Sequence, residues 1–236
     1  FNQNFSRLNF ALNYYYNIDI KKERKGVVMK NKVIITIARQ FGSGGREIGE
    51  KLAFKLEIPY YDKSLIHLAA EDSGIDEDLF DFADEKAYHS FWTASAGSNC
   101  FYGNRISPFS DMPMNDKLFL IQSNIIRRLA ESGSCVIVGR CADYILRDNP
   151  HTLSVFIHSG EQDRLNRITK SYGVEPKDAR DVMIKTDKRR AAYYNYYSGE
   201  KWGRADNYDL SVNSGAVGIE GAVDLIIKFA ELKSAE

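Results

Sequence analysis

Residues 33–56 read VIITIARQFGSGGREIGEKLAFKL, and three kinds of local chemistry follow one another inside that stretch. VIITIA, 33–38, is continuous, apolar and β-branched, the mark of a strand covered on both faces. RQFGSGG, 39–45, suits neither helix nor strand. REIGEKLAFKLE then sets Ile48, Leu52 and Leu56 four apart, which is the spacing of one helix face. Strand, glycine-rich loop and helix form the opening unit of an α/β fold.

Working outward, a short IPYYD ends a second strand at Asp62, and KSLIHLAAEDSG has a helical pattern closed by Gly74. Residues 76–114 form an insert, helical at IDEDLFDFADEKAYH and loop-like where Ser, Gly, Asn and Pro collect. DKLFLIQSNIIRRLAESG is a long amphipathic helix, with Arg127 and Arg128 on its surface. SCVIVGR, TLSVFIH and YDLSVNS are further strands, separated by helical patterns and succeeded by the closing helix GIEGAVDLIIKFAELK. Strands alternating with helices predict a parallel sheet with right-handed crossovers. The expected architecture is a three-layer α/β/α domain spanning 29–236.

The leader 1–28 differs in composition from the rest of the chain, and KKERKG would be encoded by purine-rich codons just before Met29. The natural chain is therefore expected to start at Met29, residues 1–28 being a gene-calling artefact or a dispensable tail. The chain has 44% hydrophobic and 27% charged residues. That mix excludes collagen-like, disordered and disulfide-scaffold classes. Lys+Arg and Asp+Glu both number 32, so no basic excess marks a general nucleic-acid binder. Cys100, Cys135 and Cys141 lack CxxC spacing and read as reduced thiols, which predicts a cytoplasmic protein. No apolar run approaches the ~18 residues of a membrane span.

Ligands of open parallel sheets bind beyond the carboxyl ends of the strands. The loop Arg39–Gly45 lies there. Glycines at 42, 44 and 45 let backbone N–H groups turn inward, and the next helix adds unpaired N–H groups and a partial positive charge. Together they make an anion site, and phosphate is the usual anion. The regular pattern GxxxxGK[ST] places a lysine and a hydroxyl after the last glycine. Here Gly44 is followed by Gly45, Arg46 and Glu47. Arg46, or Arg39 from the other side of the loop, could supply the charge; Glu47 reads as a helix cap or a magnesium ligand.

IARQFGSGGREIGEKLA, PYYD, VIVGRCADYIL, DKRRAAYYNYYSG and YDLSVNS together resemble the cytidylate kinase-like family, a divergent branch of the nucleoside monophosphate kinases. The resemblance runs from about Lys32 to Lys233. It implies a P-loop NTPase fold with a helical lid over 176–204, and transfer of the γ-phosphoryl of ATP to CMP or dCMP with Mg2+. It places ATP phosphates on Gly42, Ser43, Gly44, Gly45, Arg46 and Glu47, and adenine near Asn213 and Ser214. Asp62, Arg140, Asp143 and Asp187 fall at acceptor-contacting positions. Arg189 and Arg190 fall where the lid carries its charge-neutralising arginines. The partners implied are ATP and a small acceptor, with the chain a monomer or homodimer. No metal-ligand spacing is present, and His67, His89, His151 and His158 receive no role. Two rival readings remain: a kinase of another small molecule, which would need a base such as Asp62, and a nucleotide-binding module without catalysis. Tyr193, Tyr194, Tyr196 and Tyr197, with Trp202, read as packing for the lid in preference to a base-stacking surface.

Overall fold

The computed structural model describes residues 31–62 and 113–233. The leader, the 63–74 helix and nearly all of the 76–114 insert lie outside the described residues. Five parallel strands are described: β1 (Ile34–Arg39), β2 (Tyr60–Tyr61), β3 (Cys135–Val138), β4 (Thr152–His158) and β5 (Leu210–Asn213). Their order is β2-β3-β1-β4-β5. β1 is central, with Ile34 opposite Cys135 on one side and Thr152 on the other. A strand hydrogen-bonded on both edges and covered on both faces is apolar on both faces, which is why VIITIA has no polar alternation; its one hydroxyl, on buried Thr36, donates to Leu153 O at 3.5 Å.

Its side chains still alternate by face. Val33, Ile35 and Ile37 pack with Ile48, Leu52, Val223 and Ile226 on one side. Those partners come from helices α1 (Gly45–Leu56) and α6 (Ser214–Lys233). Ile34 faces the opposite core with Leu118, Ile126 and Leu129 from α2 (Met114–Ser132) and Ile145 from α3 (Ala142–Ile145). The result is the expected three layers. Each buried isoleucine contributes about 1.5–3 kcal/mol.

Helices α4 (Glu161–Tyr172) and α5 (Pro176–Ser198) join through Ile168, Ala179 and Met183, with Phe41 of the glycine loop packed against them. Pro176 opens α5, where its missing N–H costs nothing, and Gly199 closes it in the left-handed conformation. The far half of α5 lies along α2: Tyr197 stacks on Phe119 with ring centroids 4.0 Å apart, and its hydroxyl donates to Asp116 at 3.2 Å. Tyr193, Tyr194 and Tyr197 thus pack the helix down, whereas Tyr196 is exposed. Arg127 and Arg128 are exposed, as expected of a helix surface. The loop after β1 leads to α1 on one face while the turn after β3 leads to α3 on the other. Diverging exits of this kind are where open parallel sheets form a ligand crevice.

Candidate active site

The loop between β1 and α1 is held from several directions. Gln40 N–H donates to Ile157 O at 3.0 Å, and Ser43 Oγ to Gln40 O at 2.8 Å. Ser214, at the start of α6, donates to Ser43 O at 2.6 Å. Gly42 and Gly44 both have φ of +79°, which L side chains rarely adopt. Gly44 is the N-cap of α1, and no side chain caps that helix end. The first N–H groups of α1 therefore face the crevice with their partial positive charge.

Glu47, read from sequence as a cap or a magnesium ligand, does not cap the helix. Its carboxylate takes Arg167 of α4 at 2.7 Å and Lys51 at 4.0 Å. Arg46 points outward, its side chain 66% exposed, and pairs with Glu50 at 3.0 Å and Asp62 at 3.4 Å. Burial works against its charge, but Asp62 and Glu50 outweigh that and hold its pKa above the ordinary value.

Arginines gather on the inner side of the loop. Arg39, last residue of β1, sends its side chain past Gly45, and its guanidinium lies against Gly139 at the end of β3. Burial, then Arg190 and Arg140, pull its pKa down to about 9, while Tyr60 and Asp62 act the other way. Arg190, from α5, donates to Arg39 O at 2.9 Å and has its own pKa lowered by burial. Arg140 is likewise lowered by burial and hydrogen-bonds Tyr193. It sits in a turn where Gly139, Arg140 and Cys141 are all left-handed, with φ of 84°, 57° and 55°. Such strain in a non-glycine residue costs about 1–3 kcal/mol and collects at functional sites.

The other residues singled out from sequence have varied places. Asp187 accepts from Phe41 N–H at 2.8 Å and pairs with Arg164, so it braces the loop from within the fold. Asp143 is 7% exposed; its carboxyl hydrogen-bonds Tyr194 of α5, and Oδ2 has no hydrogen-bond partner among the described residues. Arg189 is exposed and donates to Thr186 at 3.4 Å. Asn213 accepts from Gly215 N–H at 3.1 Å, shaping the turn after β5. Sequence reading missed Arg164 and Arg167, which look like any basic residues of an amphipathic helix.

A cleft of about 370 Å3 runs from Gly42 and Ser43 past Asp163 and Arg167 to Ser214 and Gly215. It is of the size that takes a small organic ligand. Among the described residues no three or more His, Cys, Asp or Glu side chains converge on a metal position. Mg2+ commonly keeps several waters and is held through substrate phosphates plus one or two carboxylates. Glu47, whose carboxylate is shared between Arg167 and Lys51, is the loop carboxylate that would hold a nucleotide-borne ion. Among the described residues no helix is long and apolar enough to cross a membrane.

A parallel sheet, a glycine loop feeding an uncapped helix and a ring of arginines define a kinase-like protein of the P-loop type. The chain belongs to the cytidylate kinase-like family, which it matches over residues 34–216. It is 30% identical over 112 residues to a cytidylate kinase from Archaeoglobus fulgidus, a match spanning 45% of this chain and 59% of that relative's length. Its structure is similar to that of an uncharacterized protein from Eubacterium ventriosum, with a TM-score of 0.64 and 33% identity over 85% of this chain and 99% of the other. A looser likeness is to shikimate kinase from Bacteroides thetaiotaomicron, at TM-score 0.48 and 16% identity over 85% and 99% of the two chains.

Proposed function

We propose that the protein transfers the γ-phosphoryl group of ATP to a nucleoside monophosphate, with CMP or dCMP the default acceptor. The observation that carries this reading is the grouping of Arg39, Arg140 and Arg190, from three separate parts of the chain, at the mouth of the glycine loop. Phosphoryl transfer asks little covalent chemistry of a protein; positioning and charge neutralisation do most of it. An acceptor that is itself a phosphate monoester adds negative charge, and a cluster of this kind suits that total.

The N–H groups of 42–47 hold the ATP phosphates, and the cleft toward Asn213 and Ser214 takes the adenosine. A nucleotide-borne Mg2+, held by Glu47, would supply further charge neutralisation. Arg140 binds the acceptor phosphate. Arg190 screens the transferring group, and Arg189 stands next to it on the outer face of α5. Asp62, kept in place by Arg46, contacts the acceptor's sugar or base. The interior contacts of Asp187 and Asp143 give them a different part: each steadies an element that carries an arginine, α5 and the turn after β3.

A hydroxyl acceptor would call on Asp62 as base, but Oδ2 of that carboxylate is already engaged by Arg46 at 3.4 Å. The test is ADP release from ATP and Mg2+ across all common nucleoside and deoxynucleoside monophosphates. Turnover with CMP or dCMP is expected. ATP binding without turnover on any of them would replace the kinase with a binding module; turnover only on a non-nucleotide acceptor would replace the substrate.

A further inference from the structure

The regular phosphate loop GxxxxGK[ST] starts on glycine and ends on glycine–lysine. Aligned at Gly44, this chain carries Arg39 at the first position and Gly45 at the lysine position. We infer that the phosphate-binding cation of the loop has been transposed: Arg39, entering from the end of β1, does the work of the missing lysine, and position 45 is bare so that it can. This rests on the assignment of ATP phosphates to the loop.

The two positions exclude each other sterically. A Cβ on Gly45 would fall 2.6 Å from Arg39 Cβ and 2.9 Å from its Cγ. The first carbons of a lysine at 45 and the stem of Arg39 therefore claim the same volume, and only one cation can reach the crevice by this route. Beyond Gly45 the guanidinium goes on to Gly139, where any Cβ would overlap Nη1. A second glycine thus clears the path. That end point lies at the carboxyl ends of β1 and β3, among Arg140, Arg190, Tyr60 and Asp62, where ligands of such sheets bind.

The backbone permits the exchange. Arg39 is still paired in the sheet, opposite Ile157, so the chain turns only after it and position 39 does not need glycine. Its carbonyl is held by Arg190 at 2.9 Å, which fixes the root of the side chain. Arginine also suits the longer path, because its planar fork can take two phosphate oxygens at once. Arg46 is the rival, but it stands on the outer turn of α1 at 66% exposure, tied to Glu50 and Asp62.

The test is a reverse transposition. Wild type, Arg39→Gln, Arg39→Gly, Gly45→Lys and the double variant Arg39→Gly/Gly45→Lys are compared for turnover with the acceptor panel, for binding of a fluorescent ATP analogue, and for folding by circular dichroism. Arg39→Gln should stay folded and lose about 10²–10³ in kcat, the cost of one preorganised charge partner. Gly45→Lys alone should be inactive, since its Cβ meets the arginine stem. The double variant should recover to within about tenfold of wild type, where Arg39→Gly alone does not.

A folded double variant no more active than Arg39→Gly, or an Arg39→Gln enzyme with wild-type kcat, overturns the inference while leaving the kinase reading intact. Should the double variant not fold, Arg39→Lys decides: it must regain part of what Arg39→Gln loses, and equality of the two overturns the transposition. A wild type that binds ATP without turnover is scored by ATP affinity, with the same ranking required. A wild type that neither binds nor turns over ATP overturns both readings together.

Discussion

The backbone N–H of Phe41 donates to Oδ1 of Asp187 at 2.8 Å, and the guanidinium paired with that carboxylate, Arg164, returns from Nε to the carbonyl of Phe41 at 2.7 Å. Both polar groups of one loop residue thus end on an ion pair between α4 and α5. The side chains of Arg164 and Asp187 are only 9% and 18% exposed. Removing one partner of such a pair strands the other charge, so Asp187→Ala should cost about 3 kcal/mol. Urea denaturation with an unchanged m-value would report it. A loss under about 1 kcal/mol would mean the pair behaves as a surface one.

Asp143 gives a pH signature. Burial raises its pKa to about 6, only partly offset by hydrogen bonds from Tyr194 and the backbone. The folded state therefore holds this proton more tightly than the unfolded chain, with its ordinary value of 3.8. Stability associated with it is complete below pH 4 and falls as pH rises through about 6. The shift corresponds to about 3 kcal/mol. Asp143→Asn should remove this component of the slope of unfolding free energy between pH 4 and 7. An identical slope in wild type and variant would show that the carboxyl ionises normally.

Gly42 has no room for a side chain. With φ at +79°, an added Cβ would also lie 2.8 Å from the backbone oxygen of Arg164. Gly42→Ala should destabilise by about 1–3 kcal/mol through strain, and displace α4 from the loop. ATP affinity should fall with it. A variant with wild-type melting temperature and affinity would mean the loop adapts at little cost.

Arg140 tests the division between donor and acceptor sides. On the proposed assignment, Arg140→Ala removes a charged hydrogen-bond donor to the acceptor phosphate, a loss of about 1.5–3 kcal/mol. Acceptor KM should rise about ten- to hundredfold while ATP affinity stays near wild type. Loss of ATP affinity instead would move Arg140 to the donor side.

The strands were legible because VIITIA, CVIV and TLSVFIH are apolar enough to admit no other reading, and the glycine loop because nothing regular accommodates FGSGG. β2 was visible only as a short PYYD, since two residues carry no period. Within the site, sequence order could place Arg39 and Arg140 at strand ends. It could not show that Asp187 turns inward to Phe41, because KTDKRR reads as a solvated face until α4 supplies Arg164. Glu47 is a similar case: its partner Arg167 lies 120 positions away. Long-range pairs of charges leave no local pattern, whereas backbone conformations do.

The arginine cluster has a thermodynamic consequence outside catalysis. Arg190 and Arg140 both oppose the charge on Arg39, so the crevice stores repulsion that any bound oxyanion relieves. A ligand that binds only the folded chain stabilises it as RT ln(1 + [L]/Kd). Inorganic phosphate or sulfate in a storage buffer would therefore raise the melting temperature and compete with nucleotide in an assay.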